Sequence, residues 1–184
     1  MATDKHELRA EMRALRKRLA ESTPDAADRA AVFVSDLPTG PMVAVYRAIG
    51  AEFDPEPLIH VLILAGRSIC LPVAIQRDAP LIFRRWSPGE PLEMDVAGCP
   101  APLPLAETVT PNLVIAPLLA FDDHGGRLGQ GGGYYDRTFA VLPDAIRVGL
   151  AYEGQRVADL PILSHDIALH GVLTEVGYTP ARKV

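Results

Sequence analysis

The stretch LVIAPLLAFDDHGGRLGQGGGYYDR, residues 113–137, decides how this 184-residue chain reads. Its first four residues, Leu113–Ala116, are continuously apolar, as expected of a strand buried on both faces of a parallel sheet. Further on, Tyr134–Leu142 has the pattern of a helix. A strand that passes through a glycine-rich loop into a helix is the building unit of α/β folds, and ligands of open α/β sheets bind at that carboxyl edge. Glycines at 129, 131, 132 and 133 allow backbone N–H groups to converge on an anion. The start of the helix adds the positive end of its dipole. The loop is not a dinucleotide fingerprint, because Tyr134 stands where G-x-G-x-x-G needs its last glycine, and it lacks the Lys-Ser/Thr ending of a P-loop.

Outward from this unit the pattern alternates. Met42–Tyr46, Ser68–Leu71, Arg147–Ala151 and Val172–Val176 read as strands, and Pro57–Ala65 as a helix. Leu81–Trp86 reads as an edge or hairpin strand because arginines interrupt it, and the proline-rich stretch Pro88–Pro111 as an irregular surface excursion. At the start, Leu8, Met12, Leu15 and Leu19 recur at helical spacing, with Asp4 and Glu7 as a capping box. Thr23-Pro24 offers a cap and first-turn proline for a second helix ending near Leu37-Pro38. The expected fold is α/β: a three-layer α/β/α, Rossmann-like arrangement around a largely parallel sheet. Residues 1–184 are expected to form one domain, with a helical segment of about 1–38 packed on the α/β core.

Composition bounds the function. With 48% hydrophobic and 22% charged residues the chain is globular, and a net charge of −5 argues against non-specific nucleic-acid binding. Cys70 lies in an apolar run and Cys99 in a Gly-Pro loop, with no Cys-x-x-Cys spacing. His6, His60, His124 and His170 show no spacing for zinc or a triad. The charged start is unlike a signal peptide, and no apolar run approaches the ~20 residues of a membrane span, so a cytoplasmic protein is expected.

Arg127-Leu128-Gly129-x-Gly131-x-Gly133-Tyr134-Tyr135-Asp136 resembles the signature of the 5-formyltetrahydrofolate cyclo-ligase family. The likeness runs through Lys5-x-x-Leu8-Arg9, Gly50-Ala51-Glu52-Phe53-Asp54, Leu71-Pro72-Val73, Phe83-Arg84-x-Trp86-x-Pro88-Gly89, Pro117–Gly125 and His165-Asp166. It implies a fold of the sugar-phosphate isomerase and CoA-transferase type and an ATP-dependent enzyme that closes 5-formyltetrahydrofolate to the 5,10-methenyl form, with Mg²⁺, small-molecule substrates, no nucleic-acid or membrane partner, and a monomeric state.

The resemblance also implies roles. Lys5, Arg9 and Arg127–Tyr135 (Arg127, Leu128, Gly129, Gln130, Gly131, Gly132, Gly133, Tyr134, Tyr135) correspond to the ATP site, and Lys5, Arg127 and Tyr134 to the catalytic groups. Arg47, Glu52 and the stretch Gln130 to Tyr134 correspond to folate contacts, and Asp136 and Asp166 to metal positions. The residues themselves support part of this. Lys5, Arg9, Arg13 and Arg16 share a helix face that borders the apolar stripe. Arg13 and Arg16 read as its solvated part, whereas Lys5 is one of only three lysines (5, 17 and 183). Arg127 suits bidentate phosphate contact, and Asp136 beside it suits Mg²⁺. Glu52 suits paired N–H donors of a pterin. Trp86 is expected to pack in or beside the core rather than on a ligand. Pro55 after Asp54 and Gln130 in the loop depart from the family pattern. Other readings are a paralogue with the same ATP chemistry on another substrate, an isomerase or CoA-transferase-like enzyme, or a non-catalytic phosphate-binding module.

Overall fold

The computed structural model of the chain describes residues 5–161 and 163–182. Helix α1 (Lys5–Ser22) leads into α2 (Ala26–Ala31) and a kinked 3-10 turn (Val32–Asp36). Strand β1 (Met42–Ala44), helix α3 (Glu56–Leu64), strands β2 (Ser68–Val73) and β3 (Ile82–Arg85) follow. Next come β4 (Leu92–Met94), β5 (Pro100–Pro102), β6 (Thr108–Val109) and β7 (Leu113–Pro117). The remainder is β8 (Ala120–Phe121), β9 (Arg127–Leu128), α4 (Tyr134–Val141), β10 (Ile146–Leu150), β11 (Gly171–Thr174) and β12 (Gly177–Pro180).

The main sheet has eight strands in the order β12-β11-β10-β7-β1-β2-β3-β6. The five central strands, β11 to β2, run parallel; β12 and β3 flank them antiparallel, and β6 pairs antiparallel with β3 and so runs in the central direction. Because side chains alternate across a pleated strand, the apolar runs supply two cores at once. Val43, Ile69, Leu113, Ile115 and Val148 pack with Ala30 of α2 and Leu58, Ile59 and Leu62 of α3. Ala44, Cys70, Val114 and Ala116 face the other way, against Phe139 of α4, Phe121 and Leu169. Each fully buried side chain of this size stabilises the fold by about 1.5–3 kcal/mol. The result is the expected three-layer α/β fold.

Connection handedness then fixes where a ligand can bind. From β1 the chain crosses by α3 to β2 on one side, whereas from β7 it crosses by α4 to β10 on the other. Right-handed crossovers in opposite directions put α3 and α4 on opposite faces, and they leave a crevice beyond the carboxyl ends of β1 and β7. Helix α1 closes this end. Met12, with partly buried Leu8 and Leu15, packs on Leu119, Ala120 and Leu128 of the β8–β9 hairpin, and Leu19 reaches the first core.

Several local expectations need correction. The proposed capping residue Asp4 lies outside the described residues. The second helix starts at Ala26, after a turn closed by Ala26 N–H to Thr23 C=O, and it gives way to 3-10 geometry at Val32, with Phe33 at non-helical dihedrals. The stretch 88–111 is not irregular throughout. It forms the antiparallel β4–β5 pair and the edge strand β6, and Pro100 and Pro102 are tolerated because that small sheet has only two strands, both edges. Strand β12, hairpinned onto β11, also lay outside the sequence reading.

Candidate functional site

A cavity of about 470 Å³ occupies the crevice beyond β1 and β7. The loop after β1 contributes Tyr46, Arg47, Ile49 and Glu52, and the loop after β7 contributes Pro117 and Leu118 and then the run Arg127 to Asp136. Helix α1 presents Lys5, Arg9 and Arg16, the β4–β5 hairpin presents Asp95, Ala97, Cys99 and Pro100, and Leu163, His165 and Asp166 form part of the rim.

Arginines hold the glycine loop through its carbonyls. Arg9 Nε donates to Gly129 C=O at 3.0 Å, Arg13 donates to the Gln130 side chain at 2.9 Å and its carbonyl at 3.3 Å, and Arg137 donates to Gly132 C=O at 2.7 Å. In a trans peptide the next N–H points opposite its carbonyl, so the amides of Gln130, Gly131 and Gly133 point away from those guanidiniums. Among the described residues none of the amides of Gln130–Gly133 has a hydrogen-bond partner. Gly131 (φ +106°) and Gly133 (φ +68°) occupy backbone space that a side chain resists, and a Cβ on Gly133 would lie 2.6 Å from Arg137. Gly133 caps α4 without a side-chain hydrogen bond, which leaves the helix's positive end free for an anion.

Around this loop sit paired charges. Arg127 is nearly buried, and its guanidinium donates to Asp136 Oδ2 at 3.0 Å while its Nε has no partner among the described residues. Lys5 Nζ donates to Asp166 Oδ2 at 2.5 Å. Ile167 N–H donates to Asp136 Oδ1 at 3.3 Å, which ties the two carboxylate-bearing segments together. Burial alone would raise the Asp166 pKa, but the Lys5 hydrogen bond, the Leu163 N–H and the charges of Lys5 and His165 outweigh it and hold that carboxyl below its ordinary value. No group of three or more His, Cys, Asp or Glu side chains clusters for a metal among the described residues. Two hard carboxylates beside an anion loop suit instead a cation that completes its shell with phosphate oxygens and water.

The loop after β1 supplies a second group of polar side chains to the cavity. The Glu52 side chain is 11% exposed and accepts the Ile49 N–H at 3.0 Å. Burial raises its pKa, opposed by that N–H and by Arg16. Tyr46 donates to Phe53 C=O at 2.5 Å, and burial pushes the phenols of Tyr46 and Tyr135 up, so both stay neutral. Arg47 is paired with Glu56 and lies 5.3 Å over the Trp86 ring. Trp86 itself is buried, donates to Glu90 C=O and does not line the cavity.

All the sequence-predicted site residues therefore border one cavity: Lys5, Arg9, Arg47, Glu52, the run Arg127 to Tyr135, Asp136 and Asp166. Two readings of α1 change. Arg16 is not solvated but buried at 6% exposure, and it donates to Leu118 C=O at 3.2 Å. Arg13 is exposed but engaged with Gln130. The hairpin wall of Asp95, Ala97 and Cys99 was missed, because the proline-rich run carried no strand signal.

Three comparisons bear on this geometry. A family model described as the 5-formyltetrahydrofolate cyclo-ligase family matches residues 1–175. A 5-formyltetrahydrofolate cyclo-ligase of Escherichia coli (strain K12) is 37% identical over 143 residues, covering 72% of this chain and 76% of that protein. The solved 5,10-methenyltetrahydrofolate synthetase of Aquifex aeolicus superposes with a TM-score of 0.80 at 29% identity, over 98% of this chain and 94% of that one. The Mycoplasma pneumoniae 5,10-methenyltetrahydrofolate synthetase, at 21% identity and TM-score 0.74, covers 94% of this chain and 99% of its own and shares the fold.

Proposed function

The chain belongs to the 5-formyltetrahydrofolate cyclo-ligase family, and from that premise we infer how its cavity carries the reaction. The enzyme converts 5-formyltetrahydrofolate to 5,10-methenyltetrahydrofolate at the expense of ATP. The formyl oxygen on nitrogen 5 attacks the γ-phosphorus and ADP leaves. Nitrogen 10 then attacks the activated carbon, phosphate departs, and the ring closes. No covalent protein nucleophile is needed. The protein's work is alignment and charge neutralisation.

In this reading the triphosphate lies on the amides of Gln130–Gly133 and the start of α4, with Lys5, Arg9 and Arg127 as counter-charges. Lys5 and Arg127 stabilise the charge of the transferring phosphoryl group. Tyr134, at the junction of loop and helix, lies between nucleotide and folate. Asp136 and Asp166 would hold Mg²⁺, which would supply charge neutralisation at the phosphate oxygens. Glu52 accepts the paired N–H donors of the pterin, with Arg47 on the same wall. One observation carries the reading: three cations, a run of amides unpartnered among the described residues and a largely buried carboxylate line a single cavity. Its volume of about 470 Å³ is within the usual range for small-molecule sites.

The two free cysteines and the absence of a membrane-spanning helix among the described residues support a cytoplasmic setting. We place the enzyme there as a monomer acting on small molecules. Fractionation of cells and sedimentation of the purified protein test both points, and a membrane-bound or dimeric protein overturns them.

The test of function is the absorbance of the methenyl product from 5-formyltetrahydrofolate, with and without ATP and Mg²⁺. Product is expected only with both. Turnover at an equal rate without ATP overturns the phosphate assignment, and turnover with ATP but after chelation of divalent cations overturns the metal assignment.

A further inference from the structure

Arg16 has no assigned task, yet its position is costly for an idle arginine. The side chain is 8% exposed, its single close hydrogen bond goes to Leu118 C=O, and its Nε has no partner among the described residues. Burial lowers its pKa, so the site must repay a charge held away from water. The nearest carboxylate is Glu52, whose Oε1 lies 3.9 Å from the guanidinium, and both side chains line the cavity. Among the described residues Glu52 otherwise receives only the Ile49 N–H. The other ionisable groups around this pair are Tyr46 at the end of β1, Tyr135 in α4, Cys99 beside β5, Tyr152 after β10 and Arg13 on α1. The phenols and thiols among them are neutral at physiological pH, and Arg13 is engaged with Gln130. Arg16 is therefore the counter-charge of Glu52.

We propose that Arg16 is a positioning residue for folate, holding the Glu52 carboxylate in place on the cavity wall for the paired N–H donors of the reduced pterin. This rests on the assignment of Glu52 to folate made above. Arg16 acts through Glu52 and touches no phosphate. Anchored to the carbonyl after β7, it also couples the folate wall to the strand that leads into the nucleotide loop. The spacing explains why α1 carries Arg9 and Arg16 seven residues apart: two turns of one helix serve the two substrates.

The experiment combines titration with a double-mutant cycle. In the ligand-free enzyme, the Glu52 carboxyl is followed by carbon-13 NMR, assigned with Glu52→Gln. Arg16→Gln is expected to move its midpoint up by about one unit and Arg16→Lys to restore most of it. In kinetics, Arg16→Gln raises KM for 5-formyltetrahydrofolate about tenfold at neutral pH, leaves KM for ATP within about twofold, and shifts the acid limb of kcat/KM for folate upward. The same change in a Glu52→Gln background has little further effect. An unmoved Glu52 titration, or additive losses in the cycle, overturns the proposal. Should Glu52→Gln alone leave folate KM unchanged, the folate assignment of that wall fails, whereas a moved titration still stands for the pairing. Where Arg16→Gln does not fold, Arg16→Lys alone and combined with Glu52→Gln keeps the cycle decisive.

Discussion

Lys5 and Asp166, 161 positions apart in the chain, meet at 2.5 Å on the rim of the cavity. This ion pair fastens the first turn of α1 to the segment before β11, and both side chains are about one-fifth exposed. It also occupies a cation and a carboxylate that the proposed chemistry needs, as does the Arg127–Asp136 pair beside it. On the function proposed above, Lys5 and Arg127 would turn to the phosphates, and Asp136 and Asp166 would be freed to hold Mg²⁺.

The exchange predicts how cation variants fail. On the proposed assignment Lys5→Ala and Arg127→Ala each remove a charged hydrogen bond to phosphate, and KM for ATP should rise roughly tenfold to a hundredfold with folate KM little changed. Initial rates at varied ATP and folate check this. If only the folate constant moves, the cations belong to the other substrate.

Lys5→Ala also has a stability signature with a defined sign. The Asp166 carboxyl is held below its ordinary value, net of burial, so the pair contributes stability above the unfolded pKa of about 3.9 and loses it as pH falls through the lower folded value. Wild type and Lys5→Ala should differ in Tm at pH 7 and converge as the medium is acidified below about pH 4. A gap that persists at pH 2 rules out the pair as its cause.

Asp136→Asn keeps the shape of the side chain and removes its charge. The amide can still accept the Ile167 N–H, and Arg127 loses its ionic partner. Turnover at saturating ATP should fall on the order of a hundredfold, while Tm changes by only a few degrees. Steady-state kinetics across Mg²⁺ concentration decides it, since a metal role shows as a raised Mg²⁺ requirement.

Asp122 is the contrasting case. It belongs to the stretch that resembles the family, yet the structure spends its carboxylate on folding. It is buried and accepts N–H groups from His124 at 2.9 Å, Gly126 at 2.8 Å and Leu160 at 3.2 Å. A Cβ on Gly126 would lie 2.3 Å from its Oδ2. Asp122→Ala should cost about 3 kcal/mol, on the order of 10 °C in Tm, with the folded fraction retaining near-normal substrate constants. Thermal melts paired with kinetics separate the two effects.

What was legible in the sequence follows from these contrasts. The parallel strands were readable because burial on both faces leaves an unbroken apolar run, as in Leu113–Ala116. The flanking pieces were not. Strand β6 has two residues, β5 is Pro-Ala-Pro, and neither carries a periodic signal. The glycine loop was readable as chemistry because its glycines and charges are adjacent in the chain. Arg16 was not, since a helix periodicity shows which residues share a face but not that Glu52, 36 positions later, arrives opposite it.

The wall hidden in the proline-rich run offers the last test. Cys99 lines the cavity beside Asp95 and Ala97, and burial, with the charges of Asp95 and Glu52, pushes its thiol up to about 11 from an ordinary 9.0. Its thiolate fraction at pH 7 is then about a hundredfold below that of an exposed cysteine. Cys70, fully buried with its thiol pushed up to about 12, stays silent until the protein unfolds. Iodoacetamide should therefore label Cys99 alone and slowly, about ten times faster for each unit of pH between 7 and 10. Bound folate should slow that labelling more than ATP alone does, because the Glu52 charge acts on Cys99 and Glu52 is the proposed folate contact. Peptide mapping by mass spectrometry gives the rates, and equal protection by ATP alone would overturn the assignment of this wall to folate.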